Sequence, residues 1–154
     1  METIFDLPAH PLFVHLPIVL LPIAALASVA LLFRPQWRRP ASPALVAVTV
    51  VTAISAVMAA RSGDKLNNAL RDRIGDVAAE HKELGETTVW LTLAFLVGTV
   101  GVLALQRVAR FRDQRQLNSF TLVATSVLGL LATIWMIRTG HEGATIVWDG
   151  VLPE

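Results

Sequence analysis

The 154-residue chain has no cysteine and no tyrosine, and only 16% of its residues are charged. Without cysteine there are no disulfides, thiolate zinc sites, iron–sulfur clusters or c-type haem attachments. A phosphate loop, a nucleophile elbow and an HExxH zinc motif are also missing, so no reaction class is named by a motif. The long apolar runs contain no Asp or Glu, which argues against a proton-coupled carrier. The opening METIFDLPAH carries acids but no Lys or Arg. That is the wrong flank for a secretory signal peptide, so the first apolar segment is expected to stay in the mature protein.

What the chain has in excess is apolar surface. Hydrophobic residues make up 54% of it, more than a soluble domain of this length can bury, so an integral membrane protein is expected. Four apolar runs end at basic residues. They cover about 11–33, 42–60, 87–105 and 119–137 and stop at Arg34, Arg61, Arg107 and Arg138. Each suits one helical crossing, since about 20 residues span the hydrocarbon core and an open sheet would leave unpaired backbone groups in lipid. The expected fold is therefore all-α: a single-domain four-helix transmembrane bundle over residues 1–154.

An even number of crossings puts both termini on one side. The two short connections on the other side hold Arg34, Arg38, Arg39, Arg107, Arg110, Arg112 and Arg115, with Asp113 as their one acid. The termini side holds six of the thirteen Lys and Arg and eleven of the twelve acids, spread over more chain. Basic density makes the short-loop side cytoplasmic, with the termini periplasmic in a bacterial inner membrane. The connection 61–86 carries Leu66, Ala69, Leu70, Ile74, Val77, Ala78 and Leu84 at three- and four-residue steps. This predicts a short amphipathic helix in the outer loop, with Ser62 or Asp64 as N-cap. Trp90, Trp135 and Trp148 fall near one interface and Trp37 near the other, as in an aromatic belt. No internal repeat is visible.

The topology gathers all four histidines, His10, His15, His81 and His141, on the termini side. Imidazole is the commonest protein ligand for haem iron, copper and zinc. His15 lies inside an apolar run, where a polar group is costly, and is the strongest ligand candidate. His10 is five residues earlier, so the two rings point ~140° apart and cannot chelate one ion from a single helix. His81 leads the third crossing. His141 follows Gly140, which reads as a helix C-terminus, and His141 also suits the negative end of the helix dipole. Arg61 and Arg138 sit at the same face, positioned for carboxylates such as haem propionates. Met58 and Met136 lie at similar depth and read foremost as packing residues. Pro17 and Pro22 are expected to kink the first helix near His15.

HPLFVHLPIVLLPIA resembles the opening of a bacterial membrane family known as domain of unknown function 2231. The resemblance continues through RSGD, EHKELGE and TGHEGATIVW, nearly the whole chain. The family domain also occurs joined to Rieske-type or cytochrome-type modules, which implies a redox setting.

The leading expectation is a membrane haem b protein exchanging electrons with a quinol or a periplasmic redox protein. His15 with His81 or His141 would be its ligands, and His10 a secondary one. The alternative is a copper or zinc site built from His15, His81 and His141 with an acid such as Asp64, Glu80 or Glu142. A non-catalytic subunit of a larger membrane complex is the third reading. A homo-oligomer is compatible with each, and nucleic-acid binding has no basis.

Overall fold

A computed structural model describes residues 3–4, 7–74 and 78–148. Thr3–Ile4 and Leu7–Pro8 pair as a two-residue antiparallel ladder. Helices follow: α1 Ala9–Phe33, α2 Pro35–Ile74, α3 Ala79–Arg107, the single turn α4 Ala109–Arg112, and α5 Arg115–Trp148. The four long helices are each apolar enough to cross a membrane. Each packs on two neighbours in the cyclic order α1, α2, α3, α5, so α1 faces α3 across the bundle diagonal.

Local sequence explains the joints. Arg34 precedes Pro35, whose ring disfavours helical geometry at the residue before it, and Pro35 suits a first helical position. Arg34 is accordingly the one non-helical residue between α1 and α2. Arg38 then clamps the turn, its Nε donating to the Leu31 carbonyl at 2.9 Å.

The bundle is sorted for lipid rather than water. Leu26, Val97, Phe120 and Ile137 are 63–73% exposed on its outside. Ser28, Ser42, Thr49, Thr52, Thr92, Thr99 and Thr125 are buried inside beside Leu21, Phe95 and Leu122. Lipid rewards no burial of large apolar groups, so small residues that let backbones approach line the interior. Their hydroxyls are satisfied within the helix or across it, as with Thr49 and Thr99 at 3.0 Å and Thr88 and Thr139 at 3.0 Å.

The helices overrun the expected crossings. Residues 61–74 continue α2 without a break, so Leu66, Ala69, Leu70 and Ile74 of the expected amphipathic helix lie on an extension of the second crossing, whereas Leu84 lies in α3 and Val77 lies outside the described residues. Side chains from Leu70 to Val77 lie outside the described residues. Ser62 and Asp64 fall inside α2 and cap nothing. Ser62 instead donates to the Ala59 carbonyl at 3.0 Å, and Asp64 pairs with Lys82 at 3.1 Å, tying α2 to α3. Gly140 and His141 likewise lie within α5, not at its end. The prolines at 17 and 22 are accommodated inside α1.

Candidate functional site

The end of the bundle where α1 and α3 begin brings two histidines together across the diagonal. His10 is in the first turn of α1 and His81 in the first turn of α3. Their ring centroids are 6.1 Å apart and their planes perpendicular. Each ring is tied to the next long helix in the chain. His10 Nδ1 donates to the Ala59 carbonyl of α2 at 2.8 Å, and His81 Nδ1 to the Thr139 carbonyl of α5 at 3.0 Å.

A carbonyl only accepts, so both Nδ1 atoms must carry the proton. In the neutral rings this leaves both Nε2 atoms with free lone pairs. A metal-binding histidine almost always has this arrangement, its second nitrogen donating to a carbonyl that fixes tautomer and ring orientation.

Two glycines make these contacts sterically feasible. A Cβ on Gly63 would come within 3.1 Å of His10 Cε1 and Nδ1, and one on Gly143 within 2.8 Å of His81 Cε1. Each glycine stands four residues after the carbonyl that its histidine uses. The carbonyl of residue i in a helix points at residue i+4, so a ring bonding it passes over that residue. At Gly143 a Cβ would force the ring to shift, and at Gly63 the ring would have to give by a few tenths of an ångström. The same device therefore occurs twice, once in α1–α2 with His10, Ala59 and Gly63, and once in α3–α5 with His81, Thr139 and Gly143. It joins four stretches far apart in sequence: the first histidine of HPLFVH, the glycine of RSGD, EHKELGE and TGHEG.

The remaining expected residues are placed differently. His15 is exposed on the lipid-facing side of α1, and its Nδ1 donates to the Pro11 carbonyl of its own helix. That bond satisfies Nδ1 within α1 itself, so no other helix holds the ring. His141 is exposed on α5. Arg61 is exposed on α2, between Ala59 and Gly63 and turned away from both. Arg138 lies over the Trp135 ring at 5.2 Å. It borders a cavity of about 560 Å³ together with Glu80, Glu83, Thr87 and Trp135. Met58 is exposed, and Met136 packs against the core cluster. Among the described residues no three His, Asp or Glu side chains converge as a metal cluster, so His15, His81 and His141 do not form one there.

From residue 6 to residue 152 the sequence matches a family model described as a predicted membrane protein, DUF2231. The chain belongs to the DUF2231 family. No curated protein and no solved structure matches it. The stretches that converge on the histidine pair of this DUF2231 protein all lie within the matched residues.

Burial pulls the His81 pKa below its ordinary 6.5; the Thr139 bond opposes this, nearby His10 adds to it, and Glu142 opposes it. The folded pKa is thus the lower one, so between the two values the unfolded chain binds more protons. Folding stability then falls as pH drops through about 6.5 and levels off below the folded pKa. Cofactor-free protein is expected to melt at a lower temperature at about pH 5 than at about pH 7. His81→Asn should flatten part of that drop, measured by thermal unfolding in detergent.

Proposed function

We propose that this protein is a small integral-membrane haem b protein that passes single electrons, with His10 and His81 as the residues that would hold the haem iron. The carrying observation is the pair itself: two imidazoles from diagonal helices, each with Nδ1–H fixed on a carbonyl and Nε2 free. The ring centroids are 6.1 Å apart, close enough for both rings to reach one ion at metal–nitrogen distances of about 2.0–2.1 Å. Gly63 and Gly143 keep side-chain bulk off the α2 and α5 surfaces against which the two imidazole rings lie. His10 takes the role expected of His15 because it, and not His15, meets a histidine from another helix.

Ligand number favours haem over a zinc or copper centre. Structural and catalytic zinc sites take three or four protein ligands, whereas a haem with two axial histidines takes two. Bound haem would supply one-electron redox chemistry. The protein's part is to hold both tautomers, exclude water with the apolar bundle, and present Arg138 to a carboxylate at the interface, whereas Arg61 faces away from His10. Electrons would come from a membrane quinol or a redox protein at the histidine end. We place that end on the periplasmic side of a bacterial inner membrane, because the opposite end carries the dense arginines.

Haem and metal analysis of protein produced with haem supplied tests this reading. Roughly one haem iron per chain, with no stoichiometric zinc or copper, is expected. Stoichiometric copper or zinc without haem would refute it.

A further inference from the structure

The arginine-rich end holds a second cavity, independent of the histidine pair. Open space of about 490 Å³ is bordered by Arg39 and Pro40 near the start of α2 and by Gln106 and Arg107 at the end of α3. The guanidinia of this end are not equivalent. Arg38 is occupied by the protein, bonding the Leu31 and Leu32 carbonyls and Ser119 Oγ. Arg34 lies over Trp37 and Arg110 over Phe111, each at 5.8 Å. Arg39 and Arg107 have no ion-pair or hydrogen-bond partner among the described residues. They border one space from two helices.

Two like charges on one cavity repel each other until an anion sits between them. Guanidinium binds phosphate oxygens two at a time, which suits a phosphate better than a carboxylate-poor protein wall. The level is also right. Arg39 stands just before the apolar run that begins at Ser42, and Arg107 just after the one that ends at Leu105, so both lie at headgroup depth. Gln106, buried on the same wall, holds its amide 3.1 Å from Ser42 Oγ and so fixes the α2–α3 spacing. Basic pockets between transmembrane helices are established sites for anionic lipid headgroups.

We propose that Arg39 and Arg107 bind a phosphate group, that of an anionic phospholipid seated between α2 and α3. The test is native mass spectrometry of the full chain released from nanodiscs of phosphatidylglycerol and phosphatidylcholine in equal parts. The wild type should retain phosphatidylglycerol over phosphatidylcholine by roughly tenfold or more, and Arg39→Gln/Arg107→Gln should retain the two equally. Arg34→Gln/Arg110→Gln loses the same charge from ring-stacked arginines and should keep the preference. Circular dichroism verifies the fold of both variants. Equal loss in the two double variants would reduce the effect to diffuse charge and overturn the site, as would no preference in the wild type. Inorganic phosphate added in detergent separates the sources. If it raises the melting temperature of the wild type but not of Arg39→Gln/Arg107→Gln, while lipid preference is absent, the ligand is free phosphate and the lipid assignment fails.

Discussion

Gly129→Ala is expected to lower the stability of the bundle by about 1–3 kcal/mol, the usual cost of overpacking a tight core. A Cβ at Gly129 would stand 2.8 and 2.9 Å from Phe95 Cε2 and Cζ and 3.2 Å from the Ala25 Cβ. Three helices, α1, α3 and α5, meet at this point. Neither neighbour can yield cheaply: Phe95 is fully buried, and the Ala25 methyl moves only with the α1 backbone. The added methyl gains nothing from burial, because the separated helices would leave it in lipid anyway. Gly101→Ala is the matched control. Its Cβ would meet nothing nearer than the Thr121 methyl at 3.9 Å, so the gain in helix propensity, up to about 1 kcal/mol, should decide the sign. Reversible unfolding in mixed micelles should separate the two variants clearly. Phe95→Leu should return part of the Gly129→Ala loss, since it removes the atoms that clash. Equal stability of Gly129→Ala and Gly101→Ala would mean that the three helices do not meet as closely as described.

The second large effect is on the site. On the proposed haem reading, Gly143→Ala should abolish most haem binding while leaving the bundle folded. The new methyl would stand 2.8 Å from His81 Cε1 and 3.1 Å from Nδ1. The ring must move away, and in moving it loses the Thr139 carbonyl that holds its tautomer. Loss of such a supporting bond commonly costs 10–100-fold in metal affinity. Gly63→Ala presses His10 less closely, with its nearest approach at 3.1 Å, and should cost less. Gly140→Ala meets nothing within 4 Å and should keep full haem while stabilising α5 slightly. Haem per chain and the redox midpoint of the three variants check the order. A Gly143→Ala protein with full haem and an unchanged midpoint would show that His81 is not held in the way described.

How far the sequence discloses this arrangement depends on what hydropathy encodes. It marks where lipid begins and ends, so the four crossings and their basic ends were legible. It does not mark where a helix ends. Residues 61–74, 79–86 and 138–148 are polar yet helical, which is why the extensions of α2, α3 and α5 read as loop, separate helix or cap. Depth in an apolar run likewise drew attention to His15, because depth is visible and azimuth is not. The structure supplies the azimuth through its buried positions. In α1 these include Pro17, Leu21, Ala24, Ser28 and Leu31, and His10 is one heptad before Pro17 on the same stripe. His15, ~140° away, is off it. In α3 they include Thr88, Thr92, Phe95, Thr99 and Val102, and His81 is one heptad before Thr88. Gly63 and Gly143 were present in RSGD and TGHEG but read as family signature only. A glycine inside a polar helical stretch signals a close approach, yet what approaches it lies on another helix. For the same reason the doubled histidine–carbonyl–glycine device left no detectable repeat, since its parts are sparse and separately spaced.

The central claim is that His10 and His81, and not His15, form the ligand pair. Its most direct test is the reduced-minus-oxidised absorption spectrum of the wild type beside His10→Ala, His81→Ala and His15→Ala, each purified with haem supplied. A haem b spectrum is expected in the wild type and in His15→Ala, and its loss or conversion to a one-histidine form in both His10→Ala and His81→Ala. An unaltered spectrum in His10→Ala, or a spectrum abolished by His15→Ala alone, would contradict it.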